Sequence, residues 1–210
     1  MTPIREIVLV HGVWAPGLVM MPLGALLARE GFRCHRFDYR GAGRPLAANA
    51  EALVRFAKSV GPAHFVGHSL GGLVILLALN EHPELAVGNV VLMGTPARGS
   101  FSGRRLARHR FGRWMLGETH ALWRDAEVMC WQRKEALGVI AGTMPMGLGR
   151  AFGRLPGPND GVVCVDETGI EGMSERITLH VGHSAMLVSA RVAAQTSAFL
   201  REGRFLNETD

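Results

Sequence analysis

The sequence predicts an α/β fold: an open, mostly parallel sheet covered by helices on both faces. Two observations carry the prediction. Short apolar runs alternate with longer segments of helical spacing over most of the chain, and this alternation is the pattern of βα units. Most of the strand-like runs also carry apolar residues in succession rather than at every second position, as strands buried on both faces must.

Taken in order, Ile4 to Val10 is the first such run. His11-Gly12-Val13-Trp14 follows as a loop, and Leu18 to Glu30 has helical spacing that stops at Gly31, a residue suited to a helix C-terminus. Phe32 to Tyr39 reads as a second strand and Arg40 to Pro45 as a loop; Ala47 to Val60 makes the next helix, closed by Gly61-Pro62. The strand His64 to His68 leads through Ser69 into an apolar helix from Leu70 to Asn80, and Val87 to Gly94 is a further strand. From residue 97 to 135 the alternation breaks and the composition shifts to arginine, tryptophan and methionine. This stretch reads as an insertion or small cap of one or two short helices over the C-terminal edge of the sheet. Leu137 to Thr143 and Arg176 to Val181 are the last strands, and Ser184 to Arg201 is a closing helix with Met186, Leu187, Val192, Phe199 and Leu200 on its buried face. The whole is one domain of about six strands.

Composition excludes several functions. The net charge is +5, but the basic residues are scattered apart from one cluster, and neither a zinc-finger spacing nor an RNA-binding aromatic signature is present, which argues against nucleic-acid binding. Cys34, Cys130 and Cys164 are odd in number and far apart, as free thiols of a reducing compartment are. The N-terminus has no signal-peptide pattern and no apolar stretch reaches the ~20 residues of a membrane span. A cytoplasmic protein is the default expectation. No histidine or carboxylate cluster has metal-ligand spacing, so neither a metal nor another cofactor is called for.

The chemistry centres on Gly67-His68-Ser69-Leu70-Gly71-Gly72, the pattern G-x-S-x-G between a strand and a helix. A serine at such a turn takes a strained backbone conformation that pushes its hydroxyl beyond the sheet edge. Gly67 and Gly71 leave room where strand and helix pass closely, and Gly72 lets the helix lie near the sheet. The helix N-terminus at Leu70 offers free N–H groups to a developing oxyanion. Serine needs a histidine base oriented by a carboxylate. In this topology the acid should follow a late strand and the histidine the last one. Asp160 and His183 stand at those places.

These motifs resemble the α/β-hydrolase superfamily, and in particular small bacterial lipases and esterases. His11-Gly12-Val13 is similar to their oxyanion loop, Gly67 to Gly71 to their nucleophile elbow, and Asn159-Asp160-Gly161-Val162-Val163 to their acid-bearing loop. Asp38-Tyr39-Arg40-Gly41-Ala42-Gly43 resembles a superfamily loop of structural role. The resemblance implies a serine hydrolase cleaving a carboxylic ester through Ser69, Asp160 and His183, with the backbone N–H groups of Val13 and Leu70 as oxyanion hole. The first antiparallel strands of larger relatives have no counterpart before His11, and no large lid domain is visible.

Rival readings stand beside these. His180 is the other candidate base, and Asp166, Glu167 and Asp125 are the other candidate acids. His11 and His68 flank the site, and the resemblance implies that such residues hold loops rather than transfer protons. Trp14 either walls the acyl pocket as a substrate-binding residue or packs on the neighbouring loop. The basic stretch 104–115, with Arg104, Arg105, Arg108, His109, Arg110 and Arg113, is either a solvated helix face or a helix resting on anionic lipid. The same triad would also serve an acyltransferase, thioesterase or amidase, and a non-catalytic ligand-binding protein of this fold is the reading from another class. The expected partner is a small-molecule or lipid acyl ester; nothing in the residues speaks to oligomeric state.

Overall fold

A computed structural model describes residues 3–13, 16–110, 117–119, 129–146 and 155–207. Its centre is a sheet of six strands: β1 (Glu6–Val10), β2 (Arg33–Phe37), β3 (Ala63–His68), β4 (Val87–Met93), β5 (Leu137–Gly142) and β6 (Glu175–Leu179). Their order is β2-β1-β3-β4-β5-β6, and every adjacent pair is parallel. All six C-terminal ends therefore open on one edge, and the chain reverses its direction across the sheet beside β1 and β3. In open α/β sheets a site forms at such a switch point.

The apolar runs owe their continuity to two cores. Along β1, Val8 and Val10 face one core while Ile7 and Leu9 face the other; along β4, Val90 and Leu92 oppose Val91 and Met93. Helices α2 (Leu46–Val60) and α3 (Leu70–Glu81) cover the first face. Helix α1 (Met21–Arg29), entered through a 3₁₀ turn at Gly17–Met20, covers the second together with the last helix, α5 (Ala190–Glu202). Helix α3 is apolar all round because β3 and α2 enclose it. Its Leu70, Val74, Ile75, Leu76 and Leu79 are wholly inaccessible, and each such side chain contributes ~1.5–3 kcal/mol by leaving water.

The expected closing helix is in fact two elements. Ser184–Val188 forms a 3₁₀ helix, Ser189 is extended, and its hydroxyl accepts the Val192 N–H at 3.3 Å as the N-cap of α5. The side-chain cap competes with continued helix and wins. The five residues expected on the buried face are all buried. Between residues 97 and 135, α4 (Phe101–Ala107) and a 3₁₀ turn at Gly117–Thr119 are described, and residues 111–116 and 120–128 lie outside the described residues.

Candidate active site

Ser69 joins β3 to α3 with φ 56° and ψ −124°. Among the described residues it alone combines a side chain with positive φ, a conformation that costs on the order of 1–3 kcal/mol and persists only where its surroundings hold it. Here they do. Its N–H donates to the Met93 carbonyl at 2.9 Å, while its own carbonyl accepts the Thr95 hydroxyl at 3.1 Å and the Gly72 N–H at 3.0 Å. The residue stays partly exposed. The glycines make the turn possible through contact rather than flexibility. A Cβ on Gly71 would lie 2.3 Å from the Val10 oxygen and 2.4 Å from that of His11, and one on Gly67 would lie 2.8 Å from Gly72 Cα. Gly72 instead faces Thr95, whose Oγ1 a Cβ would meet at 2.0 Å.

Beside the elbow runs the loop His11-Gly12-Val13. A Cβ on Gly12 would touch Ser69 Cβ at 3.0 Å, so the backbone of this loop lies against the serine. Leu70 occupies the first position of α3, where an N–H has no carbonyl partner inside the helix. The segment from Asp38 props the loop from behind. The Tyr39 hydroxyl donates to the His11 carbonyl at 2.8 Å, the two rings stack at 4.4 Å, and the Tyr39 N–H donates to His11 Nε2 at 3.3 Å. This last bond leaves the His11 proton on Nδ1, which donates to the Gly12 carbonyl at 2.8 Å. Asp38 accepts the Gly17 N–H at 3.0 Å, and Gly41 packs under Val13 Cα. Burial pushes the Tyr39 phenol well above its ordinary value, so it stays a neutral donor.

Asp160 and His183 meet at the same edge. His183 Nδ1 donates to Asp160 Oδ2 at 2.7 Å. The other carboxylate oxygen accepts the N–H groups of Val162 at 2.9 Å and Val163 at 2.7 Å. Asp160 is 1% exposed, and a carboxylate can be buried that deeply because each oxygen is bonded. The His183 N–H also donates to the Asp160 carbonyl at 2.9 Å. Gly94, at the end of β4 with φ 56°, brings its Cα face to this pair: a Cβ there would lie 3.0 Å from both Asp160 Oδ2 and His183 Nδ1.

Ser69 is brought to the pair through its chain neighbour. His68 Nε2 donates to the His183 carbonyl at 3.0 Å, and the two imidazoles lie 4.6 Å apart at 48°. Among the hydrogen bonds of the described residues none joins Ser69 Oγ to His183, a bond that in enzymes without substrate is often long and tightens on binding. The arrangement offers a hydroxyl, a nearby imidazole oriented by a carboxylate, and a free helix terminus, which are the parts of nucleophilic acyl chemistry.

The comparisons with known proteins agree with this architecture. The sequence model of the alpha/beta hydrolase family matches residues 7–195. The chain belongs to that family. Among solved structures, the chain is similar to the Bacillus licheniformis lipase BlEst2. In its propeptide form the TM-score is 0.80 at 17% identity, covering 100% of this chain and 53% of that chain; in its mature form it is 0.76 at 17% identity, covering 95% and 91%. The present chain thus spans about half the length of the propeptide form. A lipase-esterase related protein from Clostridium acetobutylicum superposes with a TM-score of 0.64 at 14% identity, covering 94% of this chain and 95% of that one. At these identities the likeness is one of fold.

In this α/β hydrolase two of the competing residues lie at the surface. His180, expected within the last strand, lies just past the end of β6 and is exposed, and Asp166 is exposed as well. Trp14, Asp125 and Arg113 lie outside the described residues. Of the basic stretch, Leu106 is buried while Arg105, Arg108, His109 and Arg110 are exposed.

Glu167, named above among the other candidate acids, has its carboxylate engaged with backbone N–H groups and serves as a joint. Its carboxylate accepts the Cys164 N–H at 2.8 Å and the Phe101 N–H in a short bond. Its backbone oxygen accepts the Arg98 N–H at 3.0 Å. Together with Ser102, whose hydroxyl donates to the Val162 carbonyl at 2.7 Å, it ties α4 to the loop that carries Asp160. Burial is the largest influence on this carboxyl and holds it above the ordinary value, despite the hydrogen bonds that pull it down. The folded chain therefore binds this proton more tightly than the unfolded chain does. The resulting stability is fully present below the unfolded carboxyl value of about 4.3 and is lost as pH rises through the folded value. Urea unfolding of the native chain and of Glu167→Gln across pH 4 to 8 should show the difference between them moving in favour of the variant as pH rises. A difference independent of pH would rule out burial as the controlling influence.

Proposed function

We propose that this α/β hydrolase cleaves carboxylic esters with Ser69 as nucleophile, His183 as general base and acid, and Asp160 as the group that orients His183. The observation that carries the reading is the 2.7 Å bond between His183 Nδ1 and the buried Asp160 carboxylate, set at the same sheet edge as a serine in a strained turn. That bond fixes the tautomer in which Nε2 is free to accept a proton. His183 takes the Ser69 proton as Oγ bonds to the ester carbonyl carbon. The negative charge gathers on the carbonyl oxygen, facing the Val13 and Leu70 N–H groups. The C–O bond to the alcohol then breaks, and His183 returns the proton to the departing oxygen. Water, giving a proton to the same nitrogen, attacks the acyl-enzyme and releases the acid and Ser69.

The surroundings favour an apolar acyl part. Leu18, Met21, Met146 and Val188 are large exposed apolar side chains at 60%, 48%, 60% and 62% exposure. All four follow the C-terminal ends of β1, β5 or β6, and the Met146 backbone packs on Gly161 and Gly182 beside the Asp160–His183 pair. Of the four, Met146 is the one whose backbone contacts lie beside the pair, and an exposed apolar side chain there offers an aliphatic group a surface to lie against.

The test is turnover of a p-nitrophenyl ester series from acetate to palmitate, with a fluorescent phosphonate as a label for the nucleophile. Turnover of at least one ester and labelling at Ser69 are expected. A native chain inactive throughout the series and unlabelled would sink the reading. A second expectation concerns Gly94. Gly94→Ala places a methyl against both Asp160 and His183, so kcat should fall roughly 10- to 100-fold, the scale of an ångström-level displacement, with KM little changed. Steady-state kinetics on the best ester decides it.

A further inference from the structure

His68 lies outside the proton path just described, yet it is the link between the two halves of the site. β3 ends at this residue, and the next in sequence is Ser69. Its side chain reaches across the sheet edge to bond the main-chain oxygen of His183 at 3.0 Å. The main chain of His183 is thereby held at both polar groups, its N–H by the Asp160 carbonyl at 2.9 Å and its oxygen by His68. The ring of His183 is held in turn at Nδ1. One end of this arrangement is the acid loop, and the other is covalently continuous with the nucleophile.

We propose that His68 is a positioning residue: a rigid, buried imidazole that, as its Nε2–H tautomer, tethers the backbone of His183 to the strand carrying Ser69 and so sets the spacing between nucleophile and base. An imidazole suits the task. It has two rotatable side-chain bonds and a donor at a fixed reach, and its face packs against His183 at 4.6 Å. It must also remain neutral, because a second positive charge beside His183 would oppose the imidazolium formed during proton transfer. The groups that act on it are His183, Asp160 and His11, and burial, the largest influence, pushes its pKa down to about 3. The Nε2–H donor is thus retained across the neutral and mildly acidic range.

The kinetic part rests on the ester-hydrolase reading, and the experiment separates the two. His68→Phe keeps the ring and its packing but removes the donor; His68→Gln restores an N–H near the same reach. On the best ester, His68→Phe should lower kcat roughly 30-fold with KM within about twofold, the signature of misplaced groups rather than lost binding, and His68→Gln should recover most of that loss. Native kcat in His68→Phe, or equal impairment of the two variants, would overturn the proposal. Because a buried substitution can prevent folding, the native chain provides a second readout: ¹⁵N-histidine NMR should show His68 as the Nε2–H tautomer from pH 5 to 8. An Nδ1–H tautomer, or titration near the ordinary histidine value, would equally dispose of it. A native chain without esterase activity removes the hydrolase reading, and the tautomer then decides the tether by itself.

Discussion

Replacing Ser69 or His183 by alanine should lower kcat on any ester the native chain hydrolyses by on the order of 10⁴- to 10⁶-fold, because residues that act as one unit lose nearly the whole catalytic gain when either is removed. KM should change far less. Asp160→Asn is the more informative partner experiment. The Asp160 oxygen Oδ1 accepts two N–H groups, from Val162 and Val163, so an asparagine would keep its carbonyl there and turn its amide toward His183. A donor facing Nδ1 forces the ring proton onto Nε2, where it blocks acceptance from Ser69. A fall of roughly 10⁴-fold is expected with the fold intact, the scale seen when the acid of a serine triad is made an amide. Circular dichroism beside the ester assay checks both parts. Ser69→Ala retaining more than about 1% of native turnover would place the nucleophile elsewhere.

The second large effect is on stability. Gly71→Ala puts a methyl 2.3 Å from the Val10 oxygen and 2.4 Å from the His11 oxygen. Both obstacles are backbone, so no rotamer change relieves the collision; helix α3 or strand β1 must move. A cost of about 3 kcal/mol, the upper end for overpacking, is expected, visible as a lower urea midpoint at unchanged slope. Gly31→Ala is the control. Its φ is 87° with nothing within 4 Å of the added carbon, so only the left-handed backbone penalty of ~1–2 kcal/mol applies. Equal midpoints for the two variants would show that the close approach of α3 to β1 is not what Gly71 serves.

Much of this was readable from sequence because the signals are local. A strand covered on both faces must be apolar throughout, so β1, β3, β4 and β5 announced themselves, and the glycines of the elbow stand where a close crossing requires them. The places of Asp160 and His183 followed from topology rather than spacing. The missed features depend on partners far along the chain. Glu167 bonds the N–H of Phe101, 66 positions away, and His68 bonds a carbonyl 115 positions away. Neither periodicity nor composition records such a bond. The break before α5 is a subtler case: Ser189 as N-cap could have been suspected from its type, but the helical spacing on either side masked it.

The parallel sheet has one more consequence. The groups of the candidate site come from the ends of β1, β3, β5 and β6, and the last of them, His183, stands more than 170 positions after His11. A cut anywhere between Ser69 and Asp160 leaves the serine on one piece and the Asp160–His183 pair on the other, so neither piece alone contains the whole set. Under the proposed function, ester turnover would therefore report on the whole sheet: in a denaturant titration, loss of activity should coincide with loss of secondary structure, with no active, partly opened form between them.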